Sequence, residues 1–281
     1  MYNQLIQWYP GHIAKAEKNL KEQLKRVDVV LEVRDARIPL ASHHPQVAEW
    51  IGAKPRLSIL NRVDMIPDRI RDRWLAWFEA QGETPYFTNS QLGKGIKALT
   101  AAAQAAGEAM NQRRLARGMQ LRPVRAAVIG FPNVGKSALI NRLLGRKVVA
   151  SARRAGVTRQ LRWVRISDQI ELLDSPGVIP VKLNNQADAV KLAICEDIGD
   201  AAYENQHIAA ALVNFLAELS YDSVLSRYDC DRDGDTGEEY VIRLGACRYQ
   251  GDVERAARQL LDDFRKGLLG PIPLELPPGH P

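Results

Sequence analysis

Eight residues near the middle of the chain, Gly130-Phe-Pro-Asn-Val-Gly135-Lys136-Ser137, leave few folds open. An apolar run, Ala126 to Ile129, precedes them, and a helix-like pattern from Lys136 to Leu144 follows. That strand-loop-helix context is what a phosphate-binding loop requires. Glycines let backbone N–H groups curl around an anion, and a helix N-terminus adds its positive end. Lys136 supplies a mobile cation and Ser137 a hydroxyl for magnesium. Val134, Gly135 and Ala138 complete the expected phosphate contacts.

The rest of the first two thirds alternates in the same way. Val29 to Val33, Leu57 to Leu60, Pro85 to Phe87, Trp163 to Ile166 and Ile170 to Leu173 read as further strands. Ala14 to Arg26, Asp68 to Ala80 and Ile96 to Ala109 read as helices between them. Such alternation predicts a three-layer α/β domain over residues 1–184. Strand signals cease from Ala187, and Tyr203 to Leu219 and Asp252 to Lys266 predict a smaller all-α domain over 185–281. The Pro-rich ending, Pro271 to Pro281, is expected to be extended and partly disordered.

A phosphate loop does not choose a base. Asn61-Arg-Val-Asp64 follows the strand Leu57 to Leu60, and a carboxylate there accepts from both the ring N–H and the exocyclic amine of guanine. Adenine offers no such donor pair. Alone, the tetrapeptide reads equally as a helix start or a turn. Asp174-Ser-Pro-Gly177 ends the strand Ile170 to Leu173; its carboxylate suits magnesium through water, and the Gly177 N–H suits a γ-phosphate. Thr158 lies between these two motifs, where a second magnesium-binding hydroxyl is expected.

These motifs resemble those of the translation-factor class of GTPases, except that Asn61–Asp64 and Thr88-Asn89-Ser90 come before the phosphate loop. That order resembles the circularly permuted GTPases. Trp8-Tyr-Pro-Gly-His12, Val33-Arg-Asp-Ala-Arg-Ile-Pro39 and the Gly-Asp-Val-Glu-Arg-Ala-Ala-Arg run from Gly251 are similar to the YlqF/RbgA family of ribosome biogenesis GTPases. The resemblance covers essentially the whole chain. It implies GTP hydrolysis coupled to late assembly of the large ribosomal subunit, with the subunit or its precursor and ribosomal RNA as partners. It also implies that Asn61, Arg62, Asp64, Asn89 and Ser90 form the guanine side, with Arg62 where the family usually has lysine. Thr158 would close one switch, and Asp174 to Gly177 would form the other. Asn133 matches a phosphate-loop asparagine of potassium-activated relatives. Val178 stands where Ras-like enzymes place a water-orienting glutamine, so the catalytic role passes by resemblance to His12, an imidazole suited to neutral pH.

The charge pattern points to a polyanion. Of the net +6, residues 1–108 contribute +3 and residues 168–281 contribute −11, whereas residues 109–167 hold 14 Lys or Arg and no carboxylate. Part of that field serves a nucleotide; Arg113, Arg114, Arg117 and Arg122, with Arg153, Arg154 and Arg159, are expected at RNA. In the acidic C-terminal part, Arg255, Arg258, Arg265 and Lys266 could make one basic helix face, or simply a solvated one. Asp229-Cys-Asp231-Arg-Asp233-Gly234 imitates a calcium loop but places Tyr240 where the closing Glu belongs. Cys195, Cys230 and Cys247 lack metal-ligand spacing and read as reduced thiols. No apolar run approaches the roughly 20 residues of a membrane span, so no transmembrane helix is expected. With a polar and aromatic N-terminus in place of a targeting peptide, a cytoplasmic location is expected, and a monomer. An ATP-dependent P-loop enzyme is disfavoured by Asp64, and a non-hydrolysing RNA scaffold by the retained Lys136, Ser137, Thr158 and Asp174.

Overall fold

The computed structural model describes residues 6, 18–145, 162–165, 170–174, 185–199, 202–230 and 232–279. Among them, six strands form one sheet: β1 (Val29–Asp35), β2 (Arg56–Asn61), β3 (Pro85–Thr88), β4 (Val124–Ile129), β5 (Arg162–Arg165) and β6 (Ile170–Asp174), in spatial order β3-β2-β1-β4-β6-β5. All neighbours are parallel except the edge pair β5–β6. The C-terminal ends of β1, β2, β3, β4 and β6 therefore lie along one edge, and chain order reverses between β1 and β4. Ligands of open α/β sheets bind at such a switch point.

The central strands are buried on both sides because both faces are covered. Val29, Leu31 and Val33 pack on one face with Ala126, Val128 and Leu172, while Val30 packs on the other with Ala127, Ile129 and Leu173. The first face carries helices α4 (Ile96–Leu115) and α5 (Lys136–Leu143) through Leu99, Ala103, Leu139 and Ile140. The second is covered by α1 (residues 18–24) and α2 (Val47–Ile51) through Leu20, Leu24, Val47 and Ile51. Helix α3 (Asp68–Ala80) packs Ile70, Trp74 and Phe78 at i, i+4, i+8 spacing against Leu60 and Ala36. Full burial of each ring contributes about 1.5–3 kcal/mol.

Helices α6 (Gln186–Ile194), α7 (Asn205–Glu218), α8 (Gly237–Arg248) and α9 (Val253–Arg265) form the helical part, as the loss of strand signals predicts. Their buried residues, among them Leu192, Val213, Leu244 and Phe264, belong to the same apolar cluster as Leu31 and Val128. No described helix is long and apolar enough to cross a membrane.

Several local expectations are corrected. Helix α4 continues past the expected end at Ala109 to Leu115, so Arg113 and Arg114 sit in its last turn, where cations complement the helix dipole. The acidic stretch whose missing closing Glu argues against a calcium ion runs just ahead of α8, where Thr236 and Glu239 form a reciprocal capping box. Arg243 pairs with Asp233 at 3.3 Å and Asp235 at 3.0 Å, and Arg248 pairs with Asp229 at 2.9 Å. The tail is extended but ordered through Gly279, with Ile272 and Leu274 buried. Leu274 and Glu275 N–H groups donate to the Arg37 carbonyl, and the Glu275 carboxylate accepts from Leu40 N, Ala41 N and Lys191 Nζ. The tail thus straps the helical part onto the loop after β1.

Candidate nucleotide site

The loop after β4 has the backbone its glycines require. Gly130 has φ +148°, and a Cβ there would lie 2.2 Å from the Val33 carbonyl oxygen. Gly135 has φ +102°, and its Cβ would meet Asn61 Nδ2 at 2.2 Å. Neither position accepts a side chain without moving its neighbour. Lys136 is buried, and its ammonium donates to the Gly130 and Phe131 carbonyls at 3.1 and 2.6 Å. Ser137 and Ala138 follow in the first turn of α5, whose N-terminus opens the loop.

The guanine-side segment is fastened to that loop although Asn61 lies 73 positions upstream of Val134. Asn61, at the end of β2, donates from Nδ2 to the Val134 carbonyl at 2.8 Å. Its Oδ1 accepts from Thr88 Oγ1, Ser90 N and Ser90 Oγ at 3.1, 3.1 and 2.8 Å. One buried carboxamide therefore joins the β2, β3 and β4 ends. Arg142 of α5 reaches the same loop, donating to the Ser90 carbonyl at 3.2 Å and to the Gln91 carbonyl. Asn89 turns its Oδ1 onto the N–H groups of Gln91 and Leu92, both at 2.9 Å, and so shapes that loop. Asp64 sits in a short turn, Val63–Met65, on the same edge of the sheet as Lys136, and is exposed.

Arg62 is left-handed at φ 62°, a conformation that costs about 1–2 kcal/mol for a residue with a Cβ. Two contacts hold it: Nη2 donates to the Asn133 carbonyl at 2.6 Å, and Nη1 lies 3.2 Å from Asp35 Oδ2. Asp35 is itself gripped by Arg37, whose N and Nε donate to Oδ1 at 2.9 and 3.0 Å and whose Nη2 donates to Oδ2 at 2.7 Å. Burial would raise the Asp35 pKa, but the Arg37 and Arg62 guanidiniums outweigh it and hold the carboxyl below its usual range. The roles of Asp35 and Arg37 are not deducible from spacing; the only trace was their place in the Val33 to Pro39 run.

Asp174 ends β6, its backbone in register with Val128 two residues before the loop. Asn133, left-handed at φ 57°, donates from Nδ2 to the Glu196 carbonyl at 2.7 Å. Next to Glu196, Asp197 is fully buried, and neither carboxylate oxygen has a hydrogen-bond partner among the described residues. Burial and the neighbouring Asp35 push its pKa well above the carboxylate range, against the pull of Arg62, Arg37 and Lys136. His12, Thr158 and Gly177 lie outside the described residues, as do Arg153, Arg154 and Arg159.

The chain is 34% identical over 279 residues to Ribosome biogenesis GTPase A of Bacillus cereus, covering 97% of this chain and 94% of that one. It belongs to the ribosome biogenesis GTPase A (YlqF/RbgA) family. Mitochondrial ribosome-associated GTPase 1 of Bos taurus is 29% identical over 298 residues, covering 96% and 89% of the two chains. The family described as 50S ribosome-binding GTPase matches residues 125–226, starting at the phosphate-loop strand and leaving the guanine-side segment upstream, as permuted order requires. The crystal structure of GNP-bound YlqF from T. maritima superposes with a TM-score of 0.63 at 24% identity over 94% of this chain and 99% of that one, and so shares the fold. As a member of this family, the protein binds and hydrolyses GTP.

The basic residues expected at RNA divide. Arg113 and Arg117 are exposed, with Leu115, Met119 and Leu121 beside them. Arg122 instead clamps Asp28 with two bonds of 2.8 Å. On α9, Arg258 pairs with Glu254 and Lys266 with Asp262, each at 2.8 Å, Arg255 lies over Tyr249, and Arg265 turns inward. The α9 face is therefore locally neutralised and is not a basic stripe.

Proposed function

We propose that this GTPase acts in late assembly of the large ribosomal subunit, binding the subunit or its precursor through ribosomal RNA in the GTP state and leaving after hydrolysis. It works as a cytoplasmic monomer. The observation carrying this reading is the carboxylate-free block 109–167, which contains the phosphate loop and the exposed Arg113 and Arg117 in one continuous electropositive segment. A polyanion contacting that segment sits on the element that holds the nucleotide.

In this reading Asn61, Arg62, Asp64, Asn89 and Ser90 frame guanine, while Asn133, Val134, Gly135, Lys136, Ser137 and Ala138 wrap the phosphates. Thr158 and Gly177 close on the γ-phosphate. The donor set fits magnesium: the start of α5, which carries Ser137, and the end of β6, which carries Asp174, lie on one sheet edge, and hard oxygens of a hydroxyl and a carboxylate suit that ion. Ser137, Thr158 and, through water, Asp174 would hold it, and it would neutralise charge developing between the β- and γ-phosphates. Asn133 Oδ1 would face potassium. His12 orients the attacking water.

Co-sedimentation with precursor and mature large subunits, with a GTP analogue and with GDP, tests the reading. Preferential retention on the precursor with the analogue is expected; equal retention in both nucleotide states would overturn it. His12→Ala is expected to preserve binding and depress ribosome-stimulated turnover.

A further inference from the structure

Three parts of the molecule converge on Asn133. Its carbonyl accepts from Arg62 of the guanine-side loop, and its Nδ2 donates to the Glu196 carbonyl in the helical part. A backbone carbonyl only accepts, so the nitrogen of the carboxamide must face Glu196, and Oδ1 is turned away from it.

The turn that offers this carbonyl is unusually constrained. Glu196 N donates to Ala193 O at 3.0 Å and Asp197 N to Leu192 O at 2.8 Å, the paired bonds that end a helix on a left-handed residue. Glycine normally takes that position, yet here Glu196 holds φ +65°. Arg265 of α9 supplies the restraint: Nη2 donates to the Ala193 carbonyl at 2.9 Å and Nε to the Ile194 carbonyl at 3.0 Å, while Tyr203 Oη receives a further bond at 3.0 Å. A guanidinium at a helix C-terminus also meets the negative end of the dipole.

We propose that Arg265 is a positioning residue for nucleotide binding, acting through the Glu196 carbonyl to orient the Asn133 carboxamide in the phosphate loop. The inference rests on the reading that residues 130–137 hold the phosphates. It gives the helical part a direct line to the nucleotide, separate from any movement after Asp174. Reciprocity requires that a partner displacing α9 changes nucleotide affinity, and that nucleotide steadies the turn.

The test uses the full chain and titrates GDP and a non-hydrolysable GTP analogue into wild type, Arg265→Gln, Arg265→Lys, Asn133→Ala and the Arg265→Gln/Asn133→Ala double variant. Arg265→Gln is expected to weaken binding about tenfold, the scale of one hydrogen bond to a charged group, and Lys to recover part of it. In the Asn133→Ala background the Arg265 effect should vanish, since the two residues act through one contact. Unchanged affinity in Arg265→Gln, or the same loss with and without Asn133, overturns the proposal. Should Arg265→Gln fail to fold, hydrogen exchange on wild type decides: GDP must slow the amides of Glu196 and Asp197, and unaltered exchange overturns it. If Lys136→Ala binds GDP like wild type, the site assignment itself fails; normal GDP binding that is insensitive to Arg265 removes only the coupling.

Discussion

Asn61 Nδ2 donates to the Val134 carbonyl at 2.8 Å, joining residues 73 positions apart in the chain. This contact closes the guanine side of the site onto the phosphate side. Because Asn61 Oδ1 also accepts from Thr88 and Ser90, Asn61→Ala removes four bonds at one buried point. With about 0.5–1.5 kcal/mol net for each, a loss of about 2–6 kcal/mol in stability is expected by urea denaturation, together with weakened nucleotide binding.

Asp64 is expected to choose the base. Asp64→Asn replaces one acceptor with a donor that confronts the exocyclic amine of guanine. GTP affinity should fall by about 10²-fold or more, whereas xanthosine triphosphate, which carries a carbonyl there, should bind better than GTP. Competition titration of the two nucleotides checks this.

Asp197 carries a stability cost that depends on pH. Its folded pKa is raised by burial and Asp35, so the folded state holds a proton that the unfolded state releases. Stability from this group is full below the ordinary carboxylate pKa, near ~3.9, and is lost as pH rises toward the folded pKa. Asp197→Asn should therefore raise Tm at pH 8, with the gain shrinking toward pH ~4. A gain independent of pH would contradict the argument.

Glu32 behaves in the opposite sense. Burial works to raise its pKa, but Arg34 at 2.7 Å and His43 at 2.6 Å bring it down to about 2. The stability it contributes is present above the unfolded glutamate pKa near ~4.3 and is lost as pH falls toward the folded value. Glu32→Gln should flatten acid unfolding between those limits in a circular-dichroism titration.

The tail strap predicts a penalty at the far end of the chain. Glu275→Ala leaves the Leu40 and Ala41 N–H groups and Lys191 without their carboxylate. A loss of about 2–4 kcal/mol is expected, since buried donors lose their acceptor. Thermal unfolding measures it.

Local chemistry made much of the fold legible. The apolar runs at Val29, Leu57, Ala126 and Ile170 are strands, and the amphipathic spacing from Val253 is α9. Short-range signals also separate two overlapping motifs: the missing closing Glu speaks against a calcium loop, and Thr236 and Glu239 of that stretch cap a helix. The Pro-rich ending looked disordered because its partners, Arg37, Leu40 and Ala41, lie more than 230 residues away.

By itself the sequence determined the phosphate loop, the guanine-side segment and their reversed order, because each needs only a few neighbouring residues and a fixed spacing. Tertiary structure alone decided that Asp35 and Arg37 hold Arg62, that Arg265 faces inward, and that the helical part touches Asn133. Those contacts are made by carbonyls and carboxylates whose partners come from distant strands and helices. Residue type names what such a group can bond; only the packed chain decides what it meets.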